Sequence, residues 1–148
     1  MVDLTDGVPE FVAVVEAKGF RAAGRQMGVS GTALSKALRQ LEQRLGVTLL
    51  LRTTRSVRLT EAGEKFYAAA RRALDTLRAA AESIDRAANI RNELQRLGVN
   101  KVDLAFKAVK DDIVRADDGR LVARTEGGDV SVKEYLAKFL AENPELLP

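Results

Sequence analysis

Apolar residues in the first part of the chain recur at helical spacing in three short segments. The first covers about residues 4–18 and the second about residues 21–27, and they stop at Gly19 and Gly28. Ser30 then stands where the N-cap of a third helix belongs. The third helix is marked by Leu34, Leu38, Leu41 and Leu45, at intervals of four, three and four. Two short helices joined by a tight glycine-containing turn are the layout of a helix-turn-helix.

The period of the pattern changes after Gly46. Val47–Leu51 and Ser56–Leu59 are short β-prone runs, and the four residues between them have the character of a hairpin tip. We therefore predict a two-stranded wing. Its tip carries Arg52, Thr53, Thr54 and Arg55.

A long helix is predicted from Thr60 onward, because Thr60 is a suitable cap and acidic residues follow in the first turn. Along it, apolar and small residues repeat at intervals of four and three. We interpret this seam as a dimerisation surface, and the alternative is a helix packed on its own domain. The seam consists of Phe66, Ala70, Ala73, Leu77, Ala80 and Ile84.

The seam loses its phase after Ala87, where the next apolar residues fall three positions out of step. A helix end would explain this break, and so would a junction between two unrelated pieces. Beyond it, residues 98–148 predict a helix with Ile113 as its last inward position, a hairpin, a loop at 127–129 and a last helix opened by the capping box Ser131–Glu134.

The predicted fold class is therefore mainly α: a winged helix-turn-helix with a two-stranded wing and a long linker helix, followed by a small helix-hairpin-helix (α+β) module. The predicted domains are a DNA-binding domain at 1–60, a linker and dimerisation helix at 61–97, and a C-terminal module of unknown role at 98–148.

Composition removes several kinds of chemistry. The sequence has no Cys and no His, which excludes disulfides, Cys/His zinc sites, a Cys nucleophile and a His general base. The adjacent pairs Asp111-Asp112 and Asp117-Asp118 suit turns better than catalysis. We expect no enzyme, no catalytic residues, no cofactor and no metal. No apolar run approaches the roughly 20 residues of a membrane span, and the N-terminus lacks a signal pattern; we expect a cytoplasmic protein with no membrane partner.

Charge is divided unevenly along the chain. The formal net charge is +3, but Lys18 to Arg72 contains twelve Lys/Arg against three acidic residues. From Asn89 onward there are ten basic and eleven acidic residues. A basic block beside a nearly neutral one indicates an anionic partner for the first part alone.

Three ordered segments in the basic block resemble the DNA-binding domain of LysR-type transcriptional regulators. They are Leu41–Val47, Arg52–Val57 and Leu59–Gly63, and the resemblance covers about residues 3–88. It implies double-stranded DNA as partner, a homodimer through the linker helix, and a place on the bacterial nucleoid. Gly31 departs from the family, which usually has Gln there. The residues that follow are too few for the family's effector-binding domain, so we expect no small-molecule effector domain.

In a helix-turn-helix, side chains near the start of the recognition helix read bases in the major groove. The third helix offers Thr32, Ala33, Ser35, Lys36 and Arg39 off its leucine stripe. Ser30 is expected chiefly as a cap, although an exposed helix N-terminus also accepts phosphate. The wing tip, residues 52–55, would follow the DNA backbone or enter the minor groove. The simpler alternative is that these are ordinary solvated side chains.

Short segments near the C-terminus resemble the tail of phage head or scaffolding-type proteins, among them Glu134–Pro144. This resemblance implies a natural or engineered chimera whose residues 98–148 bind a protein partner. That assembly function is the alternative to DNA binding. The two are distinguished by whether Phe106, Tyr135 and Phe139 form a closed core or an exposed patch.

Overall fold

The computed structural model describes residues 6–53 and 56–148. The chain divides into two compact units, Met1–Leu77 and Arg78–Pro148. Each has its own cluster of buried apolar side chains. None of the helices within the described residues has both the length and the apolar character needed to cross a membrane.

The helix-turn-helix predicted from the sequence is confirmed. Helices α1 (Val8–Ala17), α2 (Phe20–Met27) and α3 (Gly31–Leu45) pack around a core that includes the leucine stripe of α3. The start expected near residue 4 is corrected, because residues 6 and 7 form a turn and α1 begins at Val8; residues 1–5 lie outside the described part of the chain.

The wing is an antiparallel pair, β1 (Leu50–Arg52) and β2 (Val57–Leu59). The first strand starts three residues later than predicted and includes Arg52, which pairs with Val57. Arg52 therefore belongs to the strand and not to the tip. Thr54 and Arg55, predicted at the tip, lie outside the described residues.

Helix α4 (Glu61–Arg96) begins under the wing. Thr60 caps it, since its Oγ1 accepts a hydrogen bond from the Gly63 N–H at 2.9 Å. A Cβ added at Gly63 would lie 2.1 Å from the carbonyl oxygen of Leu49. Only glycine allows the strand connection to approach the first turn of α4 this closely.

The apolar residues of α4 pack in different environments along the helix. Phe66 packs on Phe11 with ring centroids 5.5 Å apart, and Ala70 is buried in the first core. These two positions of the predicted dimer seam are therefore used within their own unit. The phase change after Ala87 is not a helix end: the helix continues, and Ile90 and Leu94 enter the second core.

The second unit adds α5 (Val102–Val109), three strands, α6 (Val132–Glu142) and a short 3₁₀ turn, Pro144–Leu146. The strands β3 (Ile113–Arg115), β4 (Leu121–Thr125) and β5 (Gly128–Ser131) form an antiparallel meander in the order β3-β4-β5. This corrects two predictions. Ile113 begins a strand instead of ending a helix, and the expected loop at 127–129 contributes to a third strand.

The three aromatic residues singled out in the second unit pack against its own core. Phe106, Tyr135 and Phe139 are all partly buried there. The guanidinium of Arg91 lies 4.0 Å from the centroid of the Phe106 ring. The Tyr135 hydroxyl donates to Asp112 Oδ2 at 2.6 Å. They form part of a closed core and not an exposed aromatic patch.

Candidate nucleic-acid interface

Helix α3 has two chemically distinct faces. Leu34, Leu38 and Leu41 are buried in the first core, which fixes the helix on its domain. The opposite face is polar, and Thr32, Lys36 and Arg39 on it are exposed. It lines an open groove together with Phe20, Gly31, Ser35, Gln40 and Gln43. Sequence reasoning missed Gln40 and Gln43, although their spacing of four and seven from Lys36 places them on the same face.

The N-terminus of α3 is capped as predicted. Ser30 Oγ accepts a hydrogen bond from the Ala33 N–H at 3.0 Å. Both residues are exposed. This bond stabilises the start of the helix.

Basic residues of α2 also surround the start of α3. Arg21 and Arg25 are exposed and line an open groove that continues to Ser30 and Thr32. Sequence reasoning did not assign them to the candidate interface. The signal was available, because both lie in the basic block just ahead of the turn.

Arg52 occupies a different environment from the one that a wing-tip position implies. Its Nη1 donates to Ser35 Oγ at 2.9 Å. Its Nη2 lies 3.5 Å from Glu42 Oε2, and its Cζ lies 5.0 Å from the centroid of the Phe20 ring. The side chain is 22% exposed. Arg52 therefore ties β1 to α2 and α3.

Glu42 is the second residue that joins α3 to the wing. Its Oε1 accepts hydrogen bonds from the backbone N–H groups of Leu49 and Leu50, each at 3.1 Å. Sequence reasoning counted Glu42 only as one of three acids in the basic block. An acidic residue within a basic block is a signal of a specific partner, and here the partners are two backbone N–H groups next to the wing.

The described part of the wing tip is held by its own hydrogen bonds. The Thr53 N–H donates to the Ser56 carbonyl at 3.0 Å, and the Ser56 N–H donates to Thr53 Oγ1 at 2.9 Å. Thr53 is exposed. These bonds fix the base of the tip.

The positive charge of the unit is partly neutralised away from α3. Arg71 pairs with Glu16 of α1 and with Asp75, whose Oδ2 lies 3.2 Å from Nε. Partial burial and the neighbouring Glu16 raise the pKa of Tyr67, whose hydroxyl donates to Glu16 at 3.2 Å. Lys36 and Arg39, by contrast, have no ion-pair partner among residues 6–53 and 56–148. Uncompensated positive charge therefore lies on the open face of α3, and also at Arg21 and Arg25 of α2, for which the described part of the chain holds no ion pair either.

Comparisons with known proteins agree with this geometry. Residues 10–64 match the family described as "Bacterial regulatory helix-turn-helix protein, lysR family". The chain is 49% identical over 67 residues to the uncharacterized HTH-type transcriptional regulator YcaN of Escherichia coli, covering 45% of this chain and 22% of that protein. It is 51% identical over 57 residues to the HTH-type transcriptional regulator BudR of Raoultella terrigena, covering 38% and 20%. The chain thus spans about a fifth of the length of these relatives.

Solved structures are similar over the same region. The complex of the BenM DNA-binding domain with catB site 1 DNA matches with a TM-score of 0.53 and 32% identity, covering 56% of this chain and 89% of that one. The complex of the CbnR DNA-binding domain with DNA matches with a TM-score of 0.51 and 35% identity, covering 55% and 94%. Through its N-terminal winged helix-turn-helix, this chain belongs to the LysR family of bacterial regulatory proteins.

Proposed function

We propose that this chain binds double-stranded DNA in a sequence-specific manner and regulates transcription at the bacterial nucleoid, in the cytoplasm. The observation that carries the proposal is the polar face of α3, where Thr32, Lys36 and Arg39 project from a helix whose other face is buried. Such a helix fits the major groove, where side chains near its N-terminus reach base edges. The related domains of BenM and CbnR, which were solved with DNA, support it.

Phosphate contacts would supply most of the affinity and base contacts the specificity. Arg21 and Arg25, which line the groove beside the start of α3, would meet phosphates. Thr32 and Lys36 would read bases, a thymine methyl and a guanine edge respectively.

The test is selection of a binding site from a random duplex pool, followed by affinity measurements on the selected duplex and its single-base variants. Lys36→Ala is expected to weaken binding about tenfold or more and to relax preference at one base position, as loss of a base contact does. Arg25→Ala is expected to weaken all duplexes alike and to reduce the salt dependence. Lys133→Ala, an exposed residue of the second unit, is the matched control and should change neither. Enrichment of no sequence would contradict the proposal.

We also propose that the chain acts as a homodimer through α4. Ala73, Leu77, Ala80 and Ile84 keep the four-three spacing and are all exposed. Leu77 is 65% and Ile84 72% exposed, so two large apolar side chains are left uncovered on one helix face. A second α4 packed on this stripe would cover them and would place two α3 helices on one duplex.

The dimer is tested by measuring mass in solution over a range of concentrations. Leu77→Glu with Ile84→Glu is expected to give a monomer, because two charges would be buried at the interface. Ala79→Glu adds a charge to the same helix off the stripe and should leave the dimer intact. A monomeric parent protein at all concentrations would contradict the dimer while leaving DNA binding untouched.

A further inference from the structure

We propose that Arg52 sets the direction of the Ser35 hydrogen bond, so that the Ser35 hydroxyl acts as a donor toward bound DNA. Ser35 would then select a hydrogen-bond acceptor on the duplex, and Arg52 would determine specificity as a positioning residue without touching DNA. This inference rests on the proposed DNA-binding function.

The hydrogen bond between the Arg52 and Ser35 side chains has a fixed direction. Arg52 Nη1 lies 2.9 Å from Ser35 Oγ. A guanidinium can only donate hydrogen bonds, so Ser35 Oγ must be the acceptor in this pair. The hydroxyl proton of Ser35 is then left for another partner.

The hydroxyl proton of Ser35 could be donated within its own helix. Serine and threonine hydroxyls within a helix commonly donate to the carbonyl four residues earlier. Thr76 does this in α4, where its Oγ1 donates to the Arg72 carbonyl at 2.8 Å. Ser35 makes no such bond to Gly31, and among the described residues no acceptor receives its proton. Ser35 lines the open groove of α3 beside Thr32 and Lys36, so the proton is available to a ligand there.

The guanidinium of Arg52 is restricted by its neighbours. It donates to the Ser35 hydroxyl and lies 5.0 Å from the centroid of the Phe20 ring. Its Nη2 forms an ion pair with Glu42 Oε2 at 3.5 Å but makes no hydrogen bond among the described residues. These contacts come from two helices packed beside β1. Because these three contacts restrict the guanidinium, it always donates to Ser35 Oγ. A water molecule in the same place could either donate to the hydroxyl or accept from it.

Ser35 Oγ keeps a second lone pair, but an unpaired donor at a buried interface is rarer than an unused lone pair. We therefore infer that the partner is a hydrogen-bond acceptor of the duplex. In the major groove, guanine N7 and O6, adenine N7 and thymine O4 accept, whereas the cytosine amino group only donates. A phosphate oxygen is an acceptor too. Single 7-deazapurine substitutions remove one purine N7 at a time, and single 6-thioguanine or 4-thiothymine substitutions replace guanine O6 or thymine O4 with a weaker sulfur acceptor. Single methylphosphonate substitutions remove one charged phosphate oxygen at a time.

The experiment is a double-mutant cycle on the selected duplex, with Ser35→Ala, Arg52→Met and the double variant. Ser35→Ala is expected to lower affinity about three- to tenfold, the range of one hydrogen bond. The loss should disappear on the one modified duplex that lacks the acceptor, which a merely structural role would not produce. In the Arg52→Met background, Ser35→Ala should cost less than about twofold, because the hydroxyl can turn toward the Gly31 carbonyl.

Arg52→Lys retains a donor and is expected to preserve the Ser35 effect. Arg52→Leu also removes the donor, and it keeps the test available should Arg52→Met fold poorly. An equal Ser35→Ala effect in all Arg52 backgrounds would overturn the role of Arg52. Unchanged affinity in Ser35→Ala would overturn the role of Ser35 while selective binding by the parent chain upholds the proposed function. Absence of duplex binding by the parent chain would overturn both.

Discussion

Removal of the Glu42 carboxylate should loosen the wing from the helix-turn-helix. Glu42 Oε1 accepts from two backbone N–H groups, Leu49 and Leu50, at 3.1 Å each. The side chains of both leucines are buried in the first core. Water therefore has limited access to these N–H groups once their acceptor is removed.

The magnitude follows from the number of bonds lost. Leaving a buried donor unsatisfied costs about 1–3 kcal/mol, so the loss of two acceptor bonds in Glu42→Ala should lower the free energy of unfolding of the first unit by at least about 2 kcal/mol. Glu42→Gln retains an oxygen for both N–H groups and loses the charge facing Arg52. We expect it to cost about 1 kcal/mol.

The assay is urea unfolding followed by tyrosine fluorescence in a Tyr135→Phe background, so that Tyr67 alone reports the first unit. With a slope of about 2 kcal/mol/M, Glu42→Ala should lower the urea midpoint by at least about 1 M. Gln40→Ala, exposed on the same helix, is the control and should stay within about 0.5 kcal/mol of the parent. Equal midpoints for Glu42→Ala and Gln40→Ala would show that the two hydrogen bonds to Glu42 do not stabilise the first unit.

Two further predictions follow from the packing of each unit. Gly63→Ala places a Cβ 2.1 Å from the Leu49 carbonyl oxygen and should destabilise the first unit by about 1–3 kcal/mol in thermal unfolding. Gly31→Ala, whose Cβ would meet nothing nearer than 3.6 Å, should be neutral or stabilising, and similar losses for both would contradict the packing argument. Burial and the hydrogen bond to Asp112 raise the pKa of Tyr135 from 10.0 to about 12. Between these values the unfolded chain loses the tyrosine proton first, so the second unit should lose stability as pH rises through this window. Tyr135→Phe should flatten that decline in pH-dependent unfolding, and an unchanged profile would count against the assigned contact.

The helices that build the candidate site were predictable because their signals are local. The leucine spacing of α3 and the cap at Ser30 act within a few residues, and the structure contains both. The spacing of Phe66 and Ala70 is equally local, but spacing alone does not show whether these residues pack within their own unit or against a second chain. The structure assigns those two positions to the core of their own unit.

The environment of Arg52 could not be predicted from spacing. It depends on how strand β1 lies against Ser35 and Glu42, residues that are seventeen and ten positions away along the chain. The third strand was missed for a different reason. Gly127-Gly128-Asp129 has the composition of a loop, and Gly128 adopts φ 107° as the strand leaves the turn. Pairing with β4, a tertiary interaction, decides its conformation.

Sequence readout by the polar face of α3 is tested most directly by fluorescence anisotropy across a salt series. The measurement compares the affinity of the chain for its selected duplex and for a shuffled duplex of the same composition. We expect the selected duplex to bind at least about a thousandfold more tightly at physiological salt, and affinity for both to fall steeply as salt rises. Equal affinity for the two duplexes at every salt concentration would contradict sequence readout.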